Sequence, residues 1–218
     1  SSESIADTLI NGIFGRVTGD AGSRFVIAIG QAIFLVLFLI LYGDCIAARQ
    51  RIGAVYFFSR ISNRKKWILK EFVWLLFYSV LYTFCFVGMH MIFSIWGSSE
   101  ANLSGTLFKV AFQIGLFLTL LLFEMAVLCN LFCAAGGSAI GILLSMLCVI
   151  GLIMWSTAEV DGVVSEMINP MWLSADIIEN GGSYIQKIII VFLQTAICAV
   201  GTGYYLAKRD LFAREGEG

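Results

Sequence analysis

Apolar residues along this chain fall into five long runs separated by short polar stretches. Phe25 to Tyr42 reads FVIAIGQAIFLVLFLILY, about the shortest run that crosses hydrocarbon as a helix. Trp67 to Trp96 is longer than the roughly 20 residues a bilayer requires, so it is expected to tilt or to project beyond the membrane. Leu107 to Phe132, Ser138 to Trp155 and Tyr184 to Ala207 complete the set. Between them lie a polar turn at Gly97 to Gly105, a tight break at Ala134-Ala135-Gly136-Gly137 and a long loop at Ser156 to Ser183. The pattern predicts an all-α fold, a polytopic membrane helix bundle with five spans in this chain. A barrel would instead show short segments of alternating polarity, and the sequence has none.

Composition agrees. The chain is 59% hydrophobic and 13% charged, where soluble domains carry roughly a quarter charged residues. One Pro and 18 Phe suit apolar helices. The six cysteines lie in or beside apolar runs, which favours reduced, buried thiols over a disulfide framework. Cys129 and Cys133 share a helix face, but two thiols without further ligands make a poor metal site. No metal is expected in this chain.

Charge orients the spans. Seven of the 14 Lys and Arg residues lie in one stretch, GDCIAARQRIGAVYFFSRISNRKKWILK from Gly43 to Lys70, which marks the cytoplasmic side. Lys208, Arg209 and Arg214 bring the tail, 208–218, to the same side. The loop 156–183 carries Glu159, Asp161, Glu166, Asp176 and Glu179 and no Lys or Arg, which fits the outside. Its apolar residues, Trp172 among them, predict short helices at the outer leaflet or a packed cap over the bundle. Residues 1–23 then lie outside as well. They lack a starting Met, a basic n-region and a cleavage motif, so they do not read as a signal peptide. Five spans with an outside N-terminus are an odd arrangement, and the expectation is that an upstream first span is missing. The whole of 1–218 reads as one transmembrane domain.

Few residues offer chemistry. Glu124 is the acid deep within a span, with Asn130 near the same face; such a carboxylate faces the bundle interior or a water path. It is read as a gate or proton-linked residue, or as an interhelical polar contact. His90 is the single histidine, so no Ser-His or His-metal constellation assembles. Gly137-Ser138 fails the serine-nucleophile pattern because Ile140 stands where a Gly belongs. No G-x-x-x-x-G-K-[ST] loop is present. Small residues recur at four-residue spacing, Gly137, Gly141 and Ser145, then Thr195, Ala199 and Gly203, which permits close helix packing. Lys70 with Glu71, and Asp44, read as interfacial anchors, with Asp44 alternatively pairing with the basic loop.

The basic stretch also holds an apolar patch, Ile52, Val55, Tyr56, Phe57, Phe58 and Ile61, which suits it to docking a partner. Gly43-Asp44, Tyr56-Phe57-Phe58-Ser59-Arg60 and Arg64-Lys65-Lys66-Trp67 together resemble a string in the small permease subunits of bacterial six-helix ABC exporters. The likeness is strongest to those associated with peptide or bacteriocin export and immunity. It implies a chain in the bacterial plasma membrane whose five spans are the last five of six. It implies that the 43–66 loop is a coupling helix, with Val55, Tyr56, Phe57, Phe58, Arg60 and Arg64 touching a separate ATPase dimer. ATP and Mg would bind in that partner, and this chain would hold no cofactor. The resemblance further implies a second permease copy or a related permease, a surrounding shell of lipid and no nucleic acid. The segment 166–180 would match short re-entrant helices. Two other readings stay open: a membrane anchor or regulatory subunit without a transport path, and an intramembrane enzyme acting on lipid through Glu124 and His90.

Overall fold

The computed structural model describes residues 21–53, 64–97, 105–157 and 181–208, together with Leu9, Ile10, Ile13, Asn169 and Ile178. Six helices follow one another among the described segments: α1 (Ala21–Tyr42), α2 (Cys45–Gly53), α3 (Arg64–Gly97), α4 (Gly105–Gly136), α5 (Ser138–Thr157) and α6 (Gly181–Lys208). No strand occurs among the described residues. Among the described residues five stretches are long and apolar enough to cross a membrane; the first runs from Ile29 through the Gly43-Asp44 turn to Arg51.

The centre of the bundle is α4. In its most apolar stretch 67% of the residues are buried, against 33% or less in each of the other four. It packs against α1, α2, α3, α5 and α6. It carries Gln113, Glu124 and Asn130 at depth, and polar groups in hydrocarbon must be enclosed by neighbouring helices, which places it in the interior. Ile114, Phe117, Leu122, Ala126, Val127 and Cys129 are fully enclosed.

The surrounding helices invert the logic of a soluble protein. Helix α6 buries Tyr184, Lys187, Thr195 and Thr202 and exposes Ile185, Ile189, Phe192, Ile197 and Val200. Helix α3 buries Ser79, Thr83 and Ser94 and exposes Phe77, Phe84 and Phe93. In lipid the outward face has no water to bond to, so polar groups turn inward and apolar ones outward. An aromatic ladder joins α1 to α3. Phe34 packs on Tyr82 and Phe86, Tyr42 stacks on Tyr78, and the Tyr82 hydroxyl donates to the Phe34 carbonyl at 3.1 Å.

Helix ends extend past the apolar runs. Helix α3 starts at Arg64 rather than Trp67, and α4 continues through Ala134 to Gly136. The expected four-residue break therefore narrows to Gly137, which takes φ +94°, a conformation open to Gly and strained for L side chains. Its N–H donates to the Cys133 carbonyl at 3.0 Å, closing the end of α4, and α5 departs at once. The return is close. A Cβ on Gly141 would lie 2.3 Å from the Cys133 backbone nitrogen.

Candidate functional site

The C-terminal ends of α1, α4 and α6 and the N-terminal ends of α3 and α5 meet at one end of the bundle, called here the basic end. Helix α2 is seated there by three contacts, each from a different span.

The first comes from α4. Asn130 is fully buried, and its Oδ1 accepts the N–H groups of Ile46 at 2.9 Å and Ala47 at 3.1 Å. The first N–H groups of any helix lack intrahelical acceptors and are usually satisfied by the side chain of the residue just before the helix. Here that residue is Asp44, and its carboxylate is engaged elsewhere. A side chain more than 80 residues away in sequence does the capping instead. Asn130 Nδ2 donates to the Ala126 carbonyl at 2.8 Å, which fixes the amide's orientation.

The second contact comes from α5. Ser138 donates its hydroxyl to Asp44 Oδ2 at 2.8 Å, and Arg51 Nη2 donates to the same Ser138 oxygen. The start of α5 is thereby held between the two ends of α2. The third comes from α3: Arg49 and Glu71 form an ion pair at 2.5 Å, in which Glu71 is nearly buried and Arg49 about half exposed. Glu71 was expected at the interface beside Lys70. It lies inside because a paired carboxylate tolerates burial that a lone one does not. Lys70 is exposed, as an interfacial residue should be.

At the Gly43-Asp44 turn a Cβ on Gly43 would lie 2.4 Å from the Leu39 carbonyl oxygen and 2.7 Å from Cys129 Sγ. The turn and α4 therefore approach as closely as a glycine permits. Cys129 and Cys133 stand 3.9 Å apart at their sulfurs within this packing. Among the described residues no group of three His, Cys, Asp or Glu side chains forms a metal site.

The second polar cluster lies along α4 and α6. Thr195 donates to Glu124 Oε2 at 3.2 Å, and the Cys198 thiol donates to Oε1 at 3.9 Å. Thr195 also lies 2.8 Å from the Val191 carbonyl, as a helix-internal hydroxyl commonly does. Nearer the opposite end, the Tyr184 hydroxyl donates to the Gln113 carbonyl at 2.8 Å. There the buried Lys187 ammonium donates to the Asn169 carbonyl, and the Asn169 amide donates to the Leu152 carbonyl at 3.1 Å.

The residues singled out from sequence thus divide. Glu124 and Asn130 share α4 but serve different partners, α6 and α2, so the expectation of a common face does not hold. Gly137 and Gly141 form the α4–α5 corner. Thr195 meets Glu124, Ala199 is half-buried, and Gly203 lets α6 approach Phe72 and Ile68 of α3. His90 packs on the Phe86 ring in α3. Phe72 of α3 meets Phe123, the neighbour of Glu124, so at 1.5 Å per residue His90 stands roughly 27 Å from the depth of Glu124. Arg64 opens α3. Val55, Tyr56, Phe57, Phe58 and Arg60 lie outside the described residues, as does most of 156–183. Sequence reading missed Ser138 as a partner of Asp44, Lys187, and the capping role of Asn130. An amide at depth in an apolar run signals an interhelical bond, but not which helix receives it.

The described residues, all in helices apart from isolated positions, with five stretches apolar enough to span and polar groups turned inward, mark a helical, multi-pass membrane protein. The chain matches no protein-family model, no curated protein and no solved structure among those compared.

Proposed function

We propose that this chain is the transmembrane subunit of an ATP-driven exporter, pairing with a second permease and docking separate ATPase subunits through the 43–66 stretch. The observation that supports this reading best is the seating of α2. Residues 54–63 join α2 directly to α3. A push delivered there by a closing ATPase dimer reaches α4 through Asn130, α5 through Ser138 and α3 through Glu71. Because packed helices move as bodies rather than bending continuously, such a push rocks spans against one another. ATP and Mg belong to the partner in this reading. An amphipathic peptide or lipid-like molecule is the proposed cargo, since the sequence between spans is too short for a large folded outer domain.

Purification of the subunit from its native membrane in mild detergent, with the co-purifying chains identified, tests the proposal. A stoichiometric ATPase, lost on Arg60→Glu or Arg64→Glu while the spans remain inserted, supports it. Recovery of the subunit alone, or with a sensor protein and no ATPase, overturns it in favour of anchoring.

A further inference from the structure

The outward face of α3 changes character along its length. Lys65, Lys66, Leu69, Lys70, Val73 and Trp74 follow one another at helical spacing on a single exposed face. Leu69 is 64% exposed and Val73 59%, so apolar side chains stand uncovered between and just beyond the lysines. The same face continues through Phe77 and Phe84, both exposed. The opposite face of these turns, Ile68, Glu71 and Leu75, is buried. The one acid of the segment is therefore turned away and bound to Arg49, and the outward charge of these turns is uniformly positive.

We propose that this face of α3 holds an anionic glycerophospholipid, its phosphodiester on Lys65, Lys66 and Lys70 and one acyl chain along Val73, Trp74 and Phe77. The dimensions agree. A single leaflet's hydrocarbon is about 15 Å deep, which is about ten residues of helix, the distance from Lys70 to the turn beyond Phe77. Trp74 lies about one turn past Lys70, the depth at which an indole sits just below the headgroups. Lysine stems lie along apolar surface with their ammonium groups at the phosphate level, and Leu69 supplies that surface. A zwitterionic lipid fits the apolar part equally well but gains less from three ammonium groups, and this sets the preference. The assignment does not depend on the exporter reading.

The full chain is reconstituted in vesicles containing either brominated phosphatidylglycerol or brominated phosphatidylcholine at equal mole fraction. The quenching owed to Trp74 is taken as the difference between the native chain and Trp74→Phe. At low bromolipid fraction, phosphatidylglycerol is expected to be preferred about fivefold or more, the effect of a single lysine at an anionic surface. The preference should shrink as salt is raised. Lys65→Gln, Lys66→Gln and Lys70→Gln combined are expected to reduce it to near parity while quenching by phosphatidylcholine persists. Equal quenching of the native chain by the two lipids, or none from Trp74 by either, overturns the proposal. That comparison stands even if the triple variant fails to insert.

Discussion

Replacing Asn130 by Ala tests how α2 is held. The substitution removes the acceptor of two N–H groups, those of Ile46 and Ala47, on residues that are 0% and 2% exposed. Water does not reach them in the closed structure, so each loses its bond without replacement. An unsatisfied buried N–H costs about 1–3 kcal/mol, and loss of a helix N-cap about 0.5–2 kcal/mol. Taking partial relaxation into account, α2 should open more readily by about 2–3 kcal/mol, which is about 30- to 140-fold at 1.4 kcal/mol per tenfold. Amide hydrogen exchange of a peptide covering 45–50, measured on the chain in nanodiscs, reads this opening directly. Asn130→Asp keeps an acceptor at the same place and puts a negative charge at a helix N-terminus, so most of the protection should return. Exchange in Asn130→Ala within twofold of the native chain would refute the reasoning, because the cap would then contribute nothing to holding α2.

Three further outcomes follow from the same structure. Gly141→Ala forces a Cβ to within 2.3 Å of the Cys133 backbone, so the α4–α5 corner must shift. A loss of about 1–3 kcal/mol is expected as a lower thermal-inactivation temperature in detergent, and no change would show that the corner is looser than described. Arg49→Met leaves Glu71 buried without its cation. The cost should be about 1–2 kcal/mol, below that of a fully buried pair because Arg49 is about half in solvent, and Arg49→Met with Glu71→Met should recover part of it. Glu124→Gln keeps an acceptor for Thr195, so assembly and stability should stay within about 1 kcal/mol of the native chain. A well-assembled Glu124→Gln chain that has lost activity would instead give the carboxylate a role beyond joining helices.

The spans were legible because lipid imposes a single demand, continuous apolar length, and that demand acts on each segment alone. Their ends were not. Arg64, Lys65 and Lys66 are as helical as the apolar run they introduce, and Ala134 to Gly136 stay helical because only Gly137 needs a left-handed backbone. The polar contacts were half legible. Burial of Asn130 and Glu124 follows from their depth, but their partners depend on which helix faces which, and no local pattern carries that information. Glu71 shows the same limit: its place beside Lys70 suggests the surface, and only the packing of α2 supplies the arginine that lets it turn inward. Lys187 lies near the end of an apolar run, where snorkelling to the interface is the ordinary outcome. The Asn169 carbonyl brings it inside, and that residue belongs to a segment 18 positions away.

The inward face of α6 bears on how the protein is made. Of the five apolar stretches it is the least apolar, and Lys187, Thr195 and Thr202 would all face hydrocarbon if it entered the bilayer alone. Each such group is costly there, a lysine most of all. Helix α4, synthesised some 70 residues earlier, supplies the acceptors of Tyr184 and Thr195, the Gln113 carbonyl and the Glu124 carboxylate, while Lys187 is taken by the Asn169 carbonyl. Helix α6 thus enters the bilayer with a partner already made. Its insertion and its folding are one event, and a chain whose α4 cannot accept it would be expected to lose α6 to the aqueous side before any question of transport arises.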